Sequence, residues 1–576
     1  MICLKKIMNR NNSLTQSLVE NGYNELLVNL LVNRGYNEDT ITTLLNTGYS
    51  EDMPKYNDIT NVEIGADIIQ SHIANGSKIF IFGDYDSDGV NSSYILGDAI
   101  NHIIFNTESN ATIGIKVPER HEGYGMNMKW CKKIIAENQG EDVLVITVDN
   151  GIAQDKEVAY LLENGIDVLI TDHHTPNGHT PKNVFIIDAF YNNDDENNKG
   201  LCGAGVAFKL AMTLLERYNI EYSTDLYYKY LIHVAIATIT DSMPMTVENI
   251  KYVYNGIQLL KDGYGSTAID YYREFNNNTD LAPKDIAFGL GPQINSCGRM
   301  NNTALAIDYL FADDEDVEDL YNSIVNTNDE RKTKTKKAIE TAEEMVDSKE
   351  LGIAIQLSDV EGIAGIIASN LSDKYNKCTI VFSQINDVLV GSARSEGFVN
   401  LLSVLKQIEN ETDYVVKLGG HANACGLTIK QSHFEDFKKL YNAKLNKILA
   451  SKPVEEVTDI NVVVDDIISV TDINKENCDT FRELYFFTET TPVFALTDVT
   501  INKVKYSNNN VNNVQFSISD KNGKFDFWTW GIGNQYKALG EPKQVTLIGE
   551  LDNKFGKPSF NVISIIPKGE LVYDNK

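Results

Sequence analysis

Short apolar runs separated by helical stretches dominate the middle of the chain. Ile79-Phe80-Ile81-Phe82, Val143-Leu144-Val145-Ile146 and Val168-Leu169-Ile170 are rich in β-branched or aromatic residues. Runs of this kind fit strands buried on both faces, and their alternation with helical patterns predicts a parallel α/β sheet. The same pattern divides the rest of the chain. Residues 1–76 show helical periodicity, with Leu26, Leu27, Leu30 and Leu31 on one face, and predict a helical lead-in. The strand–helix alternation fills 77–325. From Asn326 to Lys349 the chain is rich in charge and predicts one long connecting helix over 326–350. A second, smaller α/β unit follows over 351–450, with strands at Gly352-Ile353-Ala354-Ile355 and Thr379-Ile380-Val381-Phe382. Residues 451–576 alternate with period two at Val514–Ile518, Phe525–Trp528 and Val545–Gly549, which predicts a small antiparallel barrel of OB type.

Acidic and histidine signatures follow the buried runs. Asp84-Tyr85-Asp86-Ser87-Asp88-Gly89 comes after the first, Asp149-Asn150-Gly151 after the second and Asp172-His173-His174 after the third; Asp188 and Asp241 come later. Ligands of open α/β sheets collect at the carboxyl ends of strands, where these side chains would emerge. Carboxylates this crowded repel one another unless cations neutralise them. Oxygen donors with one or two imidazoles suit a hard or borderline ion such as Mn²⁺ or Mg²⁺, so the pattern predicts a dinuclear metal site. Each piece has a plainer reading. Asp84-x-Asp86-x-Asp88-Gly89 matches the first half of an EF-hand loop, but its twelfth position is Ile95 instead of Glu, and a strand, not a helix, precedes it. Asp-Asn-Gly alone is a turn, and paired histidines alone are loop residues. The conjunction at successive strand ends defeats these readings.

Composition sets the frame. At 576 residues and 42% hydrophobic the chain suits a globular enzyme of several domains. No run is long and apolar enough for a membrane span, and the N-terminus lacks a secretory h-region, so a cytoplasmic protein is expected. The 7 cysteines are odd in number and lack C-x-x-C spacing, which reads as reduced thiols. A formal charge of −30 argues against non-specific polyanion binding. Nucleic acid would have to be gripped by metals and by local positives such as Lys116, Arg120, His121, Lys129, Lys132 and Lys133. A second basic run, Arg331, Lys332, Lys334, Lys336 and Lys337, reads equally well as a solvated helix face.

The ordered set of motifs resembles the RecJ-type single-stranded-DNA exonucleases of the DHH phosphoesterase superfamily, named for the triplet seen at Asp172-His173-His174. The resemblance covers about 60–430. It includes Pro118–Asn127, Leu201–Leu210, Gly291–Met300, Gly391–Ser395 and Gly419–Gly426. By this resemblance two ions, Mn²⁺ or Mg²⁺, are held by Asp84, Asp86, Asp149, His173 and Asp241, with Asp149 bridging. Asp88 and His174 lie close to the scissile phosphate or just behind the ligands, and Asp172 orients the histidines. Arg120, Arg299, Ser392 and Arg394 contact the 5′-phosphate and backbone, with His421 near the substrate. The resemblance implies 5′-to-3′ hydrolysis of single-stranded DNA to 5′-mononucleotides, with replication or repair proteins as further partners.

The chain departs from the family at three places. Gln293 stands where the family has Arg, Asp359-Val360 replaces an aromatic-His pair, and 487–492 replaces a Gly-rich linker. No Ser/His/Asp or Cys/His nucleophile motif is recognisable, consistent with metal-activated water. Two rival readings stand beside this one. One is a DHH phosphodiesterase of short oligoribonucleotides or cyclic dinucleotides, whose chains are shorter. The other is a DHH-fold replication scaffold that does not cut, in which metal ligands are typically lost.

Overall fold

The computed structural model describes residues 2–6, 12–45, 53–123, 125–176, 178–218, 224–276, 280–395, 399–451, 460–483, 491–508, 510–554, 556–569 and 571–573. The chain forms two units. The first comprises Met1–Lys116, Met126–Gly291 and Val457–Lys576, and the second Val117–Gly125 and Pro292–Glu456. Part of the linker at 487–492 lies outside the described residues.

The first unit is built on a five-stranded sheet in which every neighbouring pair is parallel. Across the sheet the strands run Thr112–Lys116, Lys78–Phe82, Val143–Thr147, Asp167–Thr171 and Phe185–Ile187. The apolar runs of the sequence are these central strands, and Val143–Thr147 is buried at every position. From Lys78–Phe82 the chain first goes to one side and then returns to add strands on the other. The reversal falls between Lys78–Phe82 and Val143–Thr147, which makes their carboxyl ends the crevice of the sheet. Helices Ser87–Thr107, Met128–Glu137 and Asp155–Glu163 make the crossovers, and Gly203–Arg217 packs against Ser87–Thr107.

The lead-in is helical as expected over Asn12–Glu20, Glu25–Asn33 and Glu38–Leu45, but it begins with a strand. Ile2–Lys6 pairs in parallel with both Ile460–Val464 and Leu571–Tyr573, so the two ends of the chain share one small sheet. Arg34 reinforces this with a bidentate pair to Asp465 at 2.7 and 2.8 Å. Pairing between residues more than 450 positions apart leaves no local signature in the sequence.

Five C-terminal strands run Lys524–Thr529, Val514–Ser519, Phe494–Tyr506, Gln544–Lys554 and Lys557–Pro567 across their sheet, each antiparallel to its neighbour. A short helix, Gly533–Ala538, sits between the third and fourth in chain order. The end strands meet: Val562 N–H donates to Thr529 Oγ1 at 2.9 Å and Ser559 Oγ to the Trp528 carbonyl at 3.1 Å. A five-stranded sheet curled onto itself in this way is the OB-like barrel. Phe527 is core, whereas Trp530 stays 38% exposed.

The second unit carries a mixed sheet of Val415–Gly420, Ala424–Lys430, Val388–Arg394, Thr379–Ile385 and Ile353–Leu357, flanked by helices including Ala364–Tyr375 and Leu401–Glu411. The helix expected over 326–350 runs Val317–Glu344. Its buried face begins at Val317, Tyr321 and Ile324, ahead of the Asn326 start expected from the sequence. Its basic run is largely matched by its own surroundings. Arg331 bonds Asn328, Lys332 pairs with Asp329 at 3.1 Å and Lys334 with Asp359 at 2.7 Å. Among the described residues no helix is long and apolar enough to cross a membrane.

One buried charge in the first unit went unremarked in the sequence. Lys209 is fully buried on helix Gly203–Arg217, and its ammonium contacts Asp58, Glu248 at 2.9 Å, Asn198 at 2.9 Å and the Lys55 carbonyl at 3.1 Å. Removing one member of a buried pair leaves the other uncompensated. Lys209→Ala should therefore destabilise the first unit by about 3–5 kcal/mol. A fall in its denaturant midpoint checks this, and an unchanged midpoint would show that Glu248 simply takes up a proton.

Candidate metal centre

The acidic loops leave the strands exactly at the crevice of the sheet. Asp84 and Asp86 follow Lys78–Phe82. Asp86 also caps helix Ser87–Thr107, its Oδ1 accepting from the N–H groups of Asp88 and Gly89 at 3.0 and 3.1 Å. Asp88, in the first turn of that helix, is held from outside: its two oxygens accept from Gly203 and Ala204 N–H at 2.7 and 2.8 Å. Those donors are the unsatisfied first amides of helix Gly203–Arg217, where the helix dipole also favours a negative charge.

Asp149 follows the neighbouring strand with φ of 60°, a left-handed conformation unusual for a residue other than glycine. Asn150 fixes it there by donating to the Phe82 and Val148 carbonyls at 2.9 and 2.8 Å, which ties the two strand ends together. Gly203 comes so close that a Cβ on it would stand 2.5 Å from Asp149 Cβ. This contact gives one physical reason for the Gly-rich start of that helix.

Asp172 organises the third loop. Its Oδ1 accepts from His173 N–H at 2.7 Å and His174 N–H at 3.2 Å and lies 2.8 Å from His174 Nδ1, while Oδ2 takes Ile152 N–H at 2.9 Å. His173 Nε2 stands 3.1 Å from Asp149, 3.6 Å from Asp88 and 3.8 Å from Asp241. Asp241 comes from the end of helix Thr224–Thr240, not from a strand.

Ligand-type atoms from Asp84, Asp86 and Asp149 lie within 4.8 Å of one another. The same holds for Asp149, His173 and His174, and for Asp88, His173 and Asp241. Asp149 and His173 each belong to two of these groups, and of the two only a carboxylate has two oxygens to share between ions. Asp188 joins none of them. It is buried and caps the short helix Ala189–Asn192 through Tyr191 N–H at 2.9 Å.

The electrostatics ask for positive charge. Burial, then Asp88, Asp86, Asp84 and Asp241, push the Asp149 carboxyl well above the ordinary range. Burial and Asp88 raise Asp86 and Asp241 as well. Burial keeps His173 neutral by lowering its pKa. Burial also opposes charge on His174, but the hydrogen bond and charge of Asp172 outweigh it and raise the imidazole to about 9. A cluster of oxygen donors with a neutral imidazole fits two divalent ions such as Mn²⁺ or Mg²⁺.

Comparison with known proteins agrees with this geometry. Residues 78–238 match the DHH family, N-terminal domain, and residues 352–447 match the DHHA1 domain. The chain thus carries a DHH domain followed by a DHHA1 domain. It is 28% identical over 405 residues to the single-stranded-DNA-specific exonuclease RecJ of Haemophilus influenzae, covering 67% of this chain and 69% of that one. Against RecJ of Bacillus subtilis it is 28% identical over 508 residues, covering 86% and 61%. The structure of Thermus thermophilus RecJ in complex with Mn²⁺ shares the fold, with a TM-score of 0.79 at 20% identity over 99% of this chain and 80% of that one.

In the second unit, three of the expected substrate residues gather at the start of helix Ala364–Tyr375. Arg299 Nη1 donates to the Gly362 carbonyl at 3.1 Å, and Arg394 Nη1 donates to Ser392 Oγ at 3.0 Å. A Cβ on Gly365 would stand 2.9 Å from Arg394 and 3.1 Å from Ser392, so only glycine leaves this corner open. Arg120 lies on the single turn Arg120–Glu122, anchored where Glu119 accepts from Thr303 N–H at 3.1 Å. His421 is exposed at a hairpin turn and anchored by its backbone, with its N–H donating to the Ala424 carbonyl at 2.8 Å. Gln293, at the position where the family has Arg, accepts from Tyr321 Oη at 3.4 Å.

Two substitutions probe the centre. Asp149→Ala removes the shared ligand and should lower bound Mn²⁺ by at least one ion per chain while the sheet stays folded. Gly203→Ala leaves every ligand in place but pushes on Asp149, and should weaken Mn²⁺ binding through position alone. Elemental analysis and circular dichroism read both; full metal content in Asp149→Ala would refute the bridging assignment, and unchanged affinity in Gly203→Ala would refute the positioning role of Gly203.

Proposed function

We propose that the chain is a metal-dependent exonuclease that hydrolyses single-stranded DNA from its 5′ end. The observation that carries this reading is the pair of ligand groups sharing Asp149 at the crevice of the sheet. Asp84, Asp86, Asp149, His173 and Asp241 would hold the ions. Two divalent ions at such a site lower the pKa of water and clamp the attacking and departing oxygens of an in-line displacement. The remaining residues set the stage. Asp172 holds His174 through Nδ1, which leaves Nε2 of this half-exposed ring to meet a phosphate oxygen. Asp88 spends both oxygens on the helix Gly203–Arg217 and keeps that helix pressed against Asp149.

Arg299, Ser392, Arg394 and the first turn of helix Ala364–Tyr375 supply what a terminal phosphate needs. They combine fixed guanidinium donors, a hydroxyl and amides at a helix start. The H. influenzae and B. subtilis relatives are named as single-stranded-DNA-specific exonucleases, which supports the same substrate here. Cysteines 131, 202, 297, 378, 425 and 478 are free and buried, in keeping with a reducing cytoplasm.

Single strands labelled at either end, incubated with and without Mn²⁺, test the reading. The 5′ label should leave first as mononucleotide, only with metal present. Intact strands beside hydrolysed dinucleotides would favour the small-substrate alternative. Arg394→Ala should weaken binding of 5′-phosphorylated strands by about 1.5–3 kcal/mol, the worth of a hydrogen bond to a charged group. Turnover at saturation should fall less. A variant that still prefers 5′-phosphate over 5′-hydroxyl would remove Arg394 from the pocket.

A further inference from the structure

The opposite end of the same sheet holds ligand-type side chains that the metal centre does not use. Helix Val62–Asn75 ends there beside the amino ends of the strands, and His72, Ser77, Asp142 and Asp167 meet. Asp142 immediately precedes Val143–Thr147 and Asp167 opens Asp167–Thr171, whereas the centre above follows strand carboxyl ends. Strands of five residues place the two ends roughly 15 Å apart. One ligand-type atom each from His72, Asp142 and Asp167 lies within 4.8 Å of the others.

Proton positions decide what this group is. Ser77 Oγ lies 2.7 Å from Asp142 Oδ2, a carboxylate oxygen that can only accept, so the serine proton goes there. The 3.0 Å contact between Ser77 Oγ and His72 Nδ1 must then be Nδ1–H donating to the hydroxyl. Nε2 faces Asp167 Oδ2 at 3.3 Å in a side chain only 6% exposed. A bare ring nitrogen and a carboxylate oxygen are both acceptors, so something positive lies between them. The filler is either a second proton or a cation.

Three features favour a cation. Two donors on a tetrahedral ion, each about 2.0–2.1 Å from it, stand roughly 3.3 Å apart, which is the spacing of Nε2 and Asp167, while Asp142 Oδ1 lies 3.6 Å from Nδ1 of the same ring. The hydrogen bond from Nδ1 to Ser77, itself tied to Asp142, is the arrangement that fixes the tautomer of a ligating imidazole. Asp142 and Asp167 are 49% and 68% exposed, so the site is open to an ion and to water as a fourth ligand. Of the neighbouring charges, Lys78 turns to Asn138 at 3.2 Å and to Glu141 at 3.6 Å. We propose that His72 Nε2, Asp142 and Asp167 form a separate site for a borderline divalent ion of the Zn²⁺ class. The ion pins the end of helix Val62–Asn75 to the starts of two strands.

The test uses the full chain and reads metal and melting, not nuclease activity, so it stands or falls apart from the proposed function. Wild type, Asp142→Asn and Asp167→Asn are equilibrated with Zn²⁺, cleared of free ion and analysed for zinc. Both substitutions fall on exposed side chains and should fold; His72→Gln is the third variant. Wild type should retain one more zinc per chain than each variant, and zinc should raise its melting temperature more than theirs. Mn²⁺-dependent hydrolysis should persist in the Asp variants. Equal zinc content and equal melting shifts in wild type and both Asp variants would overturn the site and leave a proton in the gap.

Discussion

The mutual repulsion of buried carboxylates governs the first unit. Asp84, Asp86, Asp88, Asp149 and Asp241 converge where the sheet reverses direction, and two unit charges 4 Å apart repel by about 4 kcal/mol at the effective dielectric of a protein site. A soft scaffold would relieve this by splaying the loops. The scaffold here is not soft. The strands beneath are buried along their length, Asn150 ties adjacent strand ends together, and helix Gly203–Arg217 presses its first residue onto Asp149. The left-handed backbone of Asp149 is a local strain of the kind that persists only where surroundings over-determine it. The fold thus holds the charges in place, and divalent ions are the natural relief.

Backbone amides supply part of that relief before any ion arrives. Asp86 takes the first N–H groups of its own helix, and Asp88 takes those of another. Both are helix starts, where amide donors and the dipole favour an anion. Asp149 lies against the first residue of helix Gly203–Arg217, and burial with the neighbouring carboxylates still pushes its carboxyl well above the ordinary range. Positive charge is needed there even after the amides have acted.

The sequence made the central sheet legible because its strands are buried on both faces and read as uninterrupted apolar runs. The acidic cluster was legible where Asp84, Asp86, Asp149 and His173 follow those runs within a few positions, whereas Asp241 follows a helix. What escaped was non-local. The strand Ile2–Lys6 finds its partners at the far end of the chain. Asn150 reads as an ordinary turn residue until the Phe82 carbonyl is placed beside it. Lys209 looks like any helix lysine, and only the packing of Asp58 and Glu248 reveals a buried ion network. The connecting helix starts before the expected Asn326 because Val317, Tyr321 and Ile324 pack its first turns, a contact that only the fold reveals.

The charge balance bears on how a polyanion could be held at all. With −30 overall, long-range attraction works against the protein, and the local cations do not reverse it. Lys332 and Lys334 are paired with Asp329 and Asp359, Lys133 with Glu137, and Lys116 and Lys133 lie against the Trp130 ring. On the function proposed above, grip would come from contacts that act only at close range, namely ions at the carboxylates and the Arg299, Ser392 and Arg394 corner. Short-range contacts are screened less by salt than a diffuse basic face would be. They also discriminate: a fixed guanidinium at a helix start recognises a terminal phosphate, whereas a basic surface would recognise any.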